Sequence, residues 1–494
     1  MHLCIIGSGA SGWLVANQLK EKEYVAKITI IGSPKIPHIG VGESTTLSLP
    51  KAHSKFNIDL KEFIKESHAA VKYGVYYQNW SQNDWIHFFK SNNAFEKSNL
   101  SARKYIQLLG NKPTDTFIHD LYGKVIWDEV VGKNNVFPDN RGLTSAEEEY
   151  PHSFHFDAGQ YIQFLKKQAF KSPKIHFVEE TVENVNFSGE YIDGLDLTNS
   201  IKIKADYYVN TTGQNLNKKN LFNEQYHALG DVLLTNKAVV YPLEYTDKKP
   251  QFHPYTVAKT MKNGWRWITP TWERIGTGYT FSDNHISVDE AVNEFITDIG
   301  DKTIQPLVVD FTPRLNKQTF KLNSCSIGMA NGFLEPLDAP GLALTNSVTN
   351  FLEKLFDIYS KELINNSSFN LINNTGYQEN RKIFNIKVKR SYEFWVVFIL
   401  NQYKTCYRED TQFWKDHKNV HFPEWNLAIG DLNAYCDIHK NDFDVMMLAQ
   451  TIASRNLKFY TPLPEHITPL NYPLKETLPR TQNHLDWIES FHKL

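Results

Sequence analysis

The sequence predicts an α/β fold that opens with a Rossmann-like unit, and three consecutive features near the amino terminus predict it. Residues 2–6 form a short apolar run of the kind that builds a buried strand. The turn Gly7-Ser8-Gly9-Ala10-Ser11-Gly12 follows directly, and residues 13–19 continue with helical spacing. Such a turn points backbone N–H groups at the diphosphate of a dinucleotide, at the positive end of the helix. We therefore expect this chain to bind a dinucleotide.

Two further strands are predicted in the first eighty residues. Residues 28–31 are all β-branched, which indicates the second strand of the nucleotide unit over residues 27–32. Residues 70–80 alternate with the period of a strand, which places Lys72 and Gly74 on the face opposite Val71.

The remaining elements follow in order along the chain. Residues 160–170 predict a helix, and residues 206–213 predict a strand that ends in a turn of small residues, where a second backbone segment can approach a dinucleotide. After the asparagine-rich stretch 365–374, the composition becomes aromatic and helical. The C-terminal region is therefore expected to be mainly helical.

The end of the second predicted strand departs from the usual dinucleotide pattern. This strand ordinarily ends in Asp or Glu, which accepts a hydrogen bond from a ribose hydroxyl. Here Gly32 and Ser33 stand at that point, and Ser33 can supply only a neutral contact.

Composition excludes several classes of function. The 494 residues carry a net charge of −2 without a basic tract, which argues against binding nucleic acid. No apolar run is long enough to cross a bilayer, and a strand from residue 2 leaves no room for a signal peptide, so we expect a cytoplasmic protein. The cysteines have no metal-site spacing and are expected to be reduced core thiols, with no metal bound: Cys4, Cys325, Cys406 and Cys436.

Taken in order, several blocks resemble the flavin-dependent halogenases, specifically the tryptophan halogenase family. Residues 36–45 are similar to the family loop I-P-x-I-G-V-G-E-[AGS]-T, and residues 265–270 are close to its signature W-x-W-x-I-P. Residues 63–80 and 332–338 are similar to the stretches that carry its lysine and its acidic partner, and residues 407–414 resemble R-x-D-[ST]-x-F-W. The resemblance fades beyond about residue 420.

The resemblance implies an FAD-binding Rossmann-like domain of the hydroxylase type, discontinuous in sequence. It places this domain at residues 1–370, with inserted substrate-side segments at about 80–150, and a mainly helical cap at 371–494 that contributes to the substrate site. It also implies FAD in its reduced form, FADH2, together with O2 and a halide ion. The residues expected to contact the cofactor are Gly7, Gly9, Ala10, Gly12, Ser33, Gly40, Val41, Gly42, Glu43, Ser44, Gly213 and Gly328.

Two catalytic residues are carried over by the resemblance. Lys72 matches the lysine that holds hypohalous acid or forms a haloamine, with a surface lysine as the alternative. Asp338 stands where the family usually has Glu, one methylene longer, and the alternative is a carboxylate that caps a helix beginning near Gly341. Burial beside a flavin would lower the pKa of the lysine and make a neutral amine available.

The signature tryptophans and the halide site follow in the same way. By resemblance, Trp265, Trp267 and Pro270 line or block the space beside the flavin; the alternative is that the aromatic rings simply pack in the core. The family holds halide near two backbone amides that here belong to Pro340 and Gly341. Because proline has no N–H, we expect bromide and iodide to be favoured over the more strongly hydrated chloride, unless a side chain such as Thr345 supplies a substitute donor.

The substrate is less defined than the chemistry. His87, Phe88 and Phe89 resemble a His-Pro-Phe segment that contacts indole in the family. The residues that grip the amino-acid end lie in the region where the resemblance fades, so we expect an electron-rich ring such as an indole or phenol, with free tryptophan left open. The chain shows no second dinucleotide turn, which favours a separate flavin reductase as partner; homo-oligomers remain open. A flavin monooxygenase or oxidase of the same fold, and a non-catalytic flavin-binding relative, are the alternatives.

Overall fold

A computed structural model describes most of the chain. The described residues are 1–36, 43–72, 74–80, 85–88, 136–138, 152–214, 220–366, 371–420 and 481–492. For residues 85–88 and 136–138 the description covers the backbone. The predicted site residues Gly40, Val41, Gly42 and Phe89 lie outside these ranges.

The strands of the described residues are numbered in chain order. They are β1 His2–Ile6, β2 Lys27–Gly32, β3 Glu43–Ser44, β4 Ala70–Lys72, β5 Gly74–Gln78, β6 Trp85–Phe88, β7 Val136–Pro138, β8 Ser153–Phe156, β9 Ile175–Glu179, β10 Val182–Ser188, β11 Tyr191–Leu197, β12 Lys202–Ile203, β13 Tyr207–Asn210, β14 Tyr226–Ala228, β15 Lys237–Leu243, β16 Tyr255–Met261, β17 Gly264–Pro270, β18 Ile275–Phe281, β19 Leu307–Asp310, β20 Arg314–Asn316, β21 Ser324–Ser326, β22 Gly332–Phe333 and β23 Thr481–Asn483.

The α-helices are numbered likewise. They are α1 Ala10–Leu19, α2 Ser48–Lys55, α3 Leu60–Glu66, α4 Ala158–Ala169, α5 Lys248–Gln251, α6 Val288–Ile299, α7 Pro340–Ile358, α8 Ser360–Asn365, α9 Thr375–Thr405, α10 Gln412–Asn419 and α11 His484–His492. Helix α4 starts two residues before the predicted helix because Asp157 caps it, accepting a hydrogen bond from the backbone N–H of Gln160 at 3.0 Å.

A parallel five-stranded sheet in the order β21-β13-β1-β2-β9 forms the centre of the nucleotide unit. Side chains of β1 alternate between two cores: Leu3 and Ile5 pack in the main core, whereas Cys4 and Ile6 join a smaller cluster with β10 and β11. Helices α1, α4 and α7 pack together on the main-core side. The sheet is therefore buried on both faces, which explains its nearly continuous apolar strands.

The strand prediction for residues 70–80 is confirmed at residues 70–72 and 74–78, but these two parts belong to different sheets. Strand β4 pairs antiparallel with β8, and β5 joins a seven-stranded sheet beside β16. Val71, Lys72, Val75 and Tyr77 are all buried, so the alternation does not separate a core face from a solvent face. Lys72 consequently ends a strand at a junction between two sheets.

The described C-terminal residues are mainly helical, as predicted. Helix α9 spans 31 residues, begins at the cap Asn374 and packs along α7. Its side chains join the same hydrophobic core as those of α1 and α7. In the described part of the chain, no helix is long and apolar enough to cross a membrane.

Candidate active site

A cavity of about 370 Å³ opens at the carboxyl ends of β1, β2 and β13. This is the edge of a parallel sheet where ligands of α/β proteins bind. Its walls come from the turn between β1 and α1, the end of β2, the turn after β13 and the start of α7: Ile6 to Ser11, Ile31, Ser33, Thr211 to Gln214, Pro340, Gly341 and Thr345.

The turn between β1 and α1 fits a dinucleotide because it leaves no room for side chains. At Gly7 the backbone has a φ of +115°, and a Cβ there would lie 2.4 Å from the carbonyl oxygen of Thr211. A Cβ on Gly12 would lie 2.0 Å from the carbonyl oxygen of Gly7. With the backbone this close, the N-terminal amides of α1 face the cavity without an intervening side chain, as a diphosphate requires.

The other predicted cofactor residues fall into three groups. Those that line the cavity are Gly7, Gly9, Ala10, Ser33, Gly213 and Gly328, while Gly12 packs behind the turn. Glu43 and Ser44 form β3, where the hydroxyl of Ser44 lies 2.8 Å from that of Thr256, away from the cavity lining. Gly40, Val41 and Gly42 lie outside the described residues.

Lys72 is fully buried, so the alternative of a surface lysine does not hold. Its Nζ donates a hydrogen bond to the carbonyl oxygen of Thr45 at 2.9 Å. Burial lowers the pKa of Lys72 to about 8, and the negative charge of Asp338 opposes part of that shift. An amine in this setting exchanges a proton near neutral pH.

Asp338 is also buried and lies beside Tyr77, whose hydroxyl donates a hydrogen bond to its Oδ2. Helix α7 begins at Pro340, with Ala339 as the cap residue and no side-chain capping bond. The capping role considered for Asp338 is therefore not observed. Asp338 and Ala339 both have φ of +59°, an uncommon conformation for residues other than glycine.

The signature tryptophans lie in the main hydrophobic core. Trp265 and Trp267 are 2% and 8% exposed, their rings are 6.0 Å apart, and neither is among the described residues that line the cavity. Trp265 nevertheless touches the cavity wall, because its Nε1 donates a hydrogen bond to Glu335 at 3.2 Å. Pro270, at the end of β17, places its carbonyl oxygen 3.0 Å from Nδ1 of His155.

Pro340 and Gly341 line the cavity at the first turn of α7. Pro340 therefore has no backbone N–H to offer a ligand in this cavity. Thr345, the possible substitute donor, donates its hydroxyl hydrogen to the carbonyl oxygen of Gly341 at 3.0 Å.

Glu335 is a site residue that the sequence analysis did not assign. It lines the cavity and is 1% exposed. Its carboxylate accepts hydrogen bonds from Thr235 at 2.8 Å, from Trp265 at 3.2 Å and from the hydroxyl of Tyr403 at 3.0 Å. Burial outweighs these bonds and raises the pKa of Glu335 to about 7. The motif Glu335-Pro336-Leu337-Asp338 contains two acids, and the family resemblance assigns a role only to the second.

The predicted substrate residues are described only in part. His87 and Phe88 belong to β6, where His87 is the register partner of Val75 on β5, and Phe89 lies outside the described residues. Strand β6 thus runs beside the strand that carries Tyr77.

Neither a metal centre nor a disulfide is observed in the described ranges. No group of three His, Cys, Asp or Glu side chains is placed there to hold a metal ion. Cys4, Cys325 and Cys406 are free and buried, while Cys436 lies outside the described residues.

The sequence profile of the tryptophan halogenases matches residues 2–429. The chain belongs to the tryptophan halogenase family. Tryptophan 7-halogenase RebH of Lentzea aerocolonigenes is 27% identical over 440 residues, which cover 85% of this chain and 79% of that protein. Tryptophan 6-halogenase ThaL of Streptomyces albogriseolus is 25% identical over 443 residues, covering 84% of this chain and 78% of its own length.

Solved structures agree with this assignment at the level of fold. The crystal structure of a tryptophan halogenase from Shewanella frigidimarina has a TM-score of 0.79 at 20% identity, covering 100% of this chain and 94% of that one. The predicted α/β fold of an FAD-binding protein with a helical C-terminal region is confirmed. As a member of the family, this halogenase is an FADH2-dependent enzyme that uses FAD and halide.

Proposed function

We propose that this halogenase uses FADH2, O2 and halide to make hypohalous acid, and that Lys72 directs the halogen to an electron-rich aromatic ring such as an indole or phenol. The observation that carries the proposal is the burial of Lys72 beside Asp338, one short loop away from the cavity. Burying an amine and a carboxylate together costs folding free energy, because both groups lose their hydration. Such a pair is therefore more easily explained by a functional role than by stability.

The cavity would hold FAD with its diphosphate at the N-terminus of α1. Bound as FADH2, the flavin supplies two electrons: with O2, halide and one proton it gives FAD, hypohalous acid and water. The chain contributes the backbone of Gly7 and Gly9 and the small residue Ala10, which let a large cofactor approach the sheet edge.

Residues 335–341 include both cavity-lining residues and Asp338, the charged neighbour of Lys72. Glu335, Pro340 and Gly341 line the cavity, whereas Asp338 between them points away from it to Tyr77. Trp265 donates a hydrogen bond to Glu335, and the ring of Trp267 lies 6.0 Å from that of Trp265 in the main core. Hypohalous acid attacks many groups, so a wall that keeps the organic substrate from the flavin favours controlled transfer over free diffusion.

Lys72 then acts as the halogen carrier. Its neutral amine can attack hypohalous acid, which forms an N–halogen bond and releases water. The aromatic ring attacks that halogen, and the proton lost from the ring restores the amine. A hydrogen bond from the ammonium form to hypohalous acid would direct the halogen without the covalent step. In the covalent path Asp338 can relay that proton from the ring to the amine, and in the hydrogen-bonded path Asp338 can accept it.

Pro340 is the basis for the proposed halide preference. Its missing N–H removes one backbone donor at the cavity side of α7, and Thr345 is engaged with Gly341. Chloride loses the most hydration on entering such a site, so bromide and iodide are favoured.

Lys72→Ala tests the lysine, and Lys65→Ala, an exposed lysine on α3, is the matched control. Both variants should reoxidise FADH2 and release peroxide, but Lys72→Ala should give no halogenated product. Halogenation by Lys72→Ala at the rate and regioselectivity of the parent would instead identify free hypohalous acid as the agent.

A halide competition tests the proposed preference for bromide and iodide over chloride. The enzyme, FAD, a separate flavin reductase and nicotinamide are supplied with chloride, bromide or iodide and a panel of indoles and phenols, tryptophan included. Bromo and iodo products should exceed chloro products, and Pro340→Thr should raise chlorination relative to the parent. Chlorination by the parent at or above the bromide rate would place the halide elsewhere. Hydroxylated products without halogen would favour a monooxygenase.

A further inference from the structure

The end of β2 lacks the acid that dinucleotide-binding strands usually place there, and the packing explains why. A Cβ on Gly32 would lie 2.3 Å from Oγ of Ser8 and 2.9 Å from the ring of Phe177. A carboxylate cannot occupy this position unless the glycine-rich turn moves. The side chain of Ser8 therefore occupies the space that an acidic side chain at position 32 would need.

The neighbouring strand ends at the same edge and continues into an acid. Strands β2 and β9 are parallel, and Gly32 is the register partner of Glu179. Glu180 follows directly and lines the cavity, as do Ser33 and Ile31. The hydroxyls of Ser33 and Thr181 lie 2.7 Å apart, which ties the ends of the two strands together.

Within the described residues, one oxygen of the Glu180 carboxylate has a hydrogen-bond partner and the other has none. Its Oε2 accepts a hydrogen bond from the hydroxyl of Thr198 at 2.6 Å. Among the described residues, Oε1 has no protein partner, and Glu180 is half-buried at the cavity wall. A carboxylate can accept hydrogen bonds from both neighbouring hydroxyls of a ribose.

We infer that Glu180 binds the ribose of the adenosine half of FAD and replaces, from the adjacent strand, the acid that Gly32 lacks. Ser33 adds the neutral contact beside it. No Lys or Arg is among the described cavity residues, so a 2′-phosphate would meet a carboxylate without a balancing cation. This inference rests on FAD occupying the cavity, as proposed above.

Binding of oxidised FAD, measured by flavin fluorescence, tests the inference without turnover. Glu180→Gln should weaken FAD binding by roughly 10- to 100-fold, because a charge-assisted hydrogen bond is lost. Glu179→Gln, an exposed neighbour, is the matched control and should bind as the parent does. Circular dichroism and thermal unfolding of each variant separate a binding defect from misfolding.

An FAD analogue that lacks the 2′-hydroxyl of the adenosine ribose identifies the contact. The parent should bind the analogue at least several-fold more weakly than FAD, whereas Glu180→Gln should bind both with similar affinity. Equal discrimination by the parent and the variant, or unchanged FAD binding by Glu180→Gln, would overturn the assignment. If Gly12→Ala also leaves FAD binding unchanged, the cavity itself is not the flavin site, which is a separate failure.

Discussion

Tyr77 donates a hydrogen bond to the carboxylate of Asp338, although 261 positions separate the two residues in the chain. Lys72 lies five positions before Tyr77, on the preceding strand, and the charge of Asp338 opposes the lowering of its pKa. The buried carboxylate therefore has a hydrogen-bond donor on one strand and a cation on another. These two contacts join residues that lie on different strands to the loop before α7.

Asp338→Asn should slow halogen transfer by on the order of 10²-fold, because the amide cannot accept the proton from the ring. Tyr77→Phe should slow it by about tenfold, because the carboxylate keeps its charge but loses one donor. Product formation in single turnovers with pre-reduced FAD measures both. Tyr76→Phe, whose ring packs against Tyr255 5.8 Å away, serves as the control. A rate for Asp338→Asn equal to that of the parent would return Asp338 to a structural role.

The pH profile of halogen transfer should follow the neutral form of Lys72. With a pKa of about 8, the rate should rise about tenfold per pH unit below 8 and level off above it. Lys72→Arg cannot lose its proton and should remain inactive across this range. Rapid-quench product analysis between pH 6 and 9.5 gives the profile. A rate that is level below pH 8 and falls above it would favour hydrogen bonding by the ammonium form over N-halogenation.

The lowered pKa of Lys72 should also make the free energy of unfolding depend on pH. The pKa of Lys72 is lowered on folding from its ordinary value of 10.5, so the buried cation destabilises the protein at all pH values below about 8. This cost should disappear as the pH rises from about 8 to 10.5. The stability difference between Lys72→Met and the parent should therefore shrink over that window, measured by urea unfolding.

Glu335 should show the opposite pH dependence. Its pKa is raised from 4.5 to about 7, so both states are protonated below about pH 4.5 and the carboxylate carries no ionisation cost there. Between pH 4.5 and 7 the parent should lose stability relative to Glu335→Gln, by about 3 kcal/mol in total. Urea unfolding at pH 5, 6, 7 and 8 measures the difference. Glu190→Gln, in an exposed turn, is the control and should show no such trend. If the difference in free energy of unfolding between Glu335→Gln and the parent stayed constant, the carboxyl of Glu335 would be ionised at all these pH values.

Gly12→Ala should abolish FAD binding, because its Cβ would lie 2.0 Å from the carbonyl oxygen of Gly7 and displace the turn that holds the diphosphate. Gly230→Ala is the matched control, since a Cβ at Gly230 meets no atom within 4 Å. Titration with oxidised FAD compares the two variants. Tight FAD binding by a folded Gly12→Ala protein would contradict the placement of the cofactor.

Local sequence patterns were enough to predict the nucleotide unit. The predicted strands at residues 2–6 and 27–32 match β1 and β2, and α1 begins within the glycine-rich turn. These elements depend on short-range properties, namely apolar periodicity and the freedom of glycine, which a linear sequence displays directly. The family resemblance added the order of the expected flavin-site segments, and the family profile confirms the family itself.

Only the tertiary structure decided which side chains meet and what burial does to them. Residues 70–80 look like one half-exposed strand, but β4 and β5 join two different sheets and Lys72 is completely buried. Three features depend on residues distant in the chain or on neighbouring strands: the contact of Tyr77 with Asp338, the raised pKa of Glu335, and the position of Glu180 next to the register partner of Gly32. Desolvation and long-range pairing arise only when separate segments pack together, so no local pattern of residues encodes them.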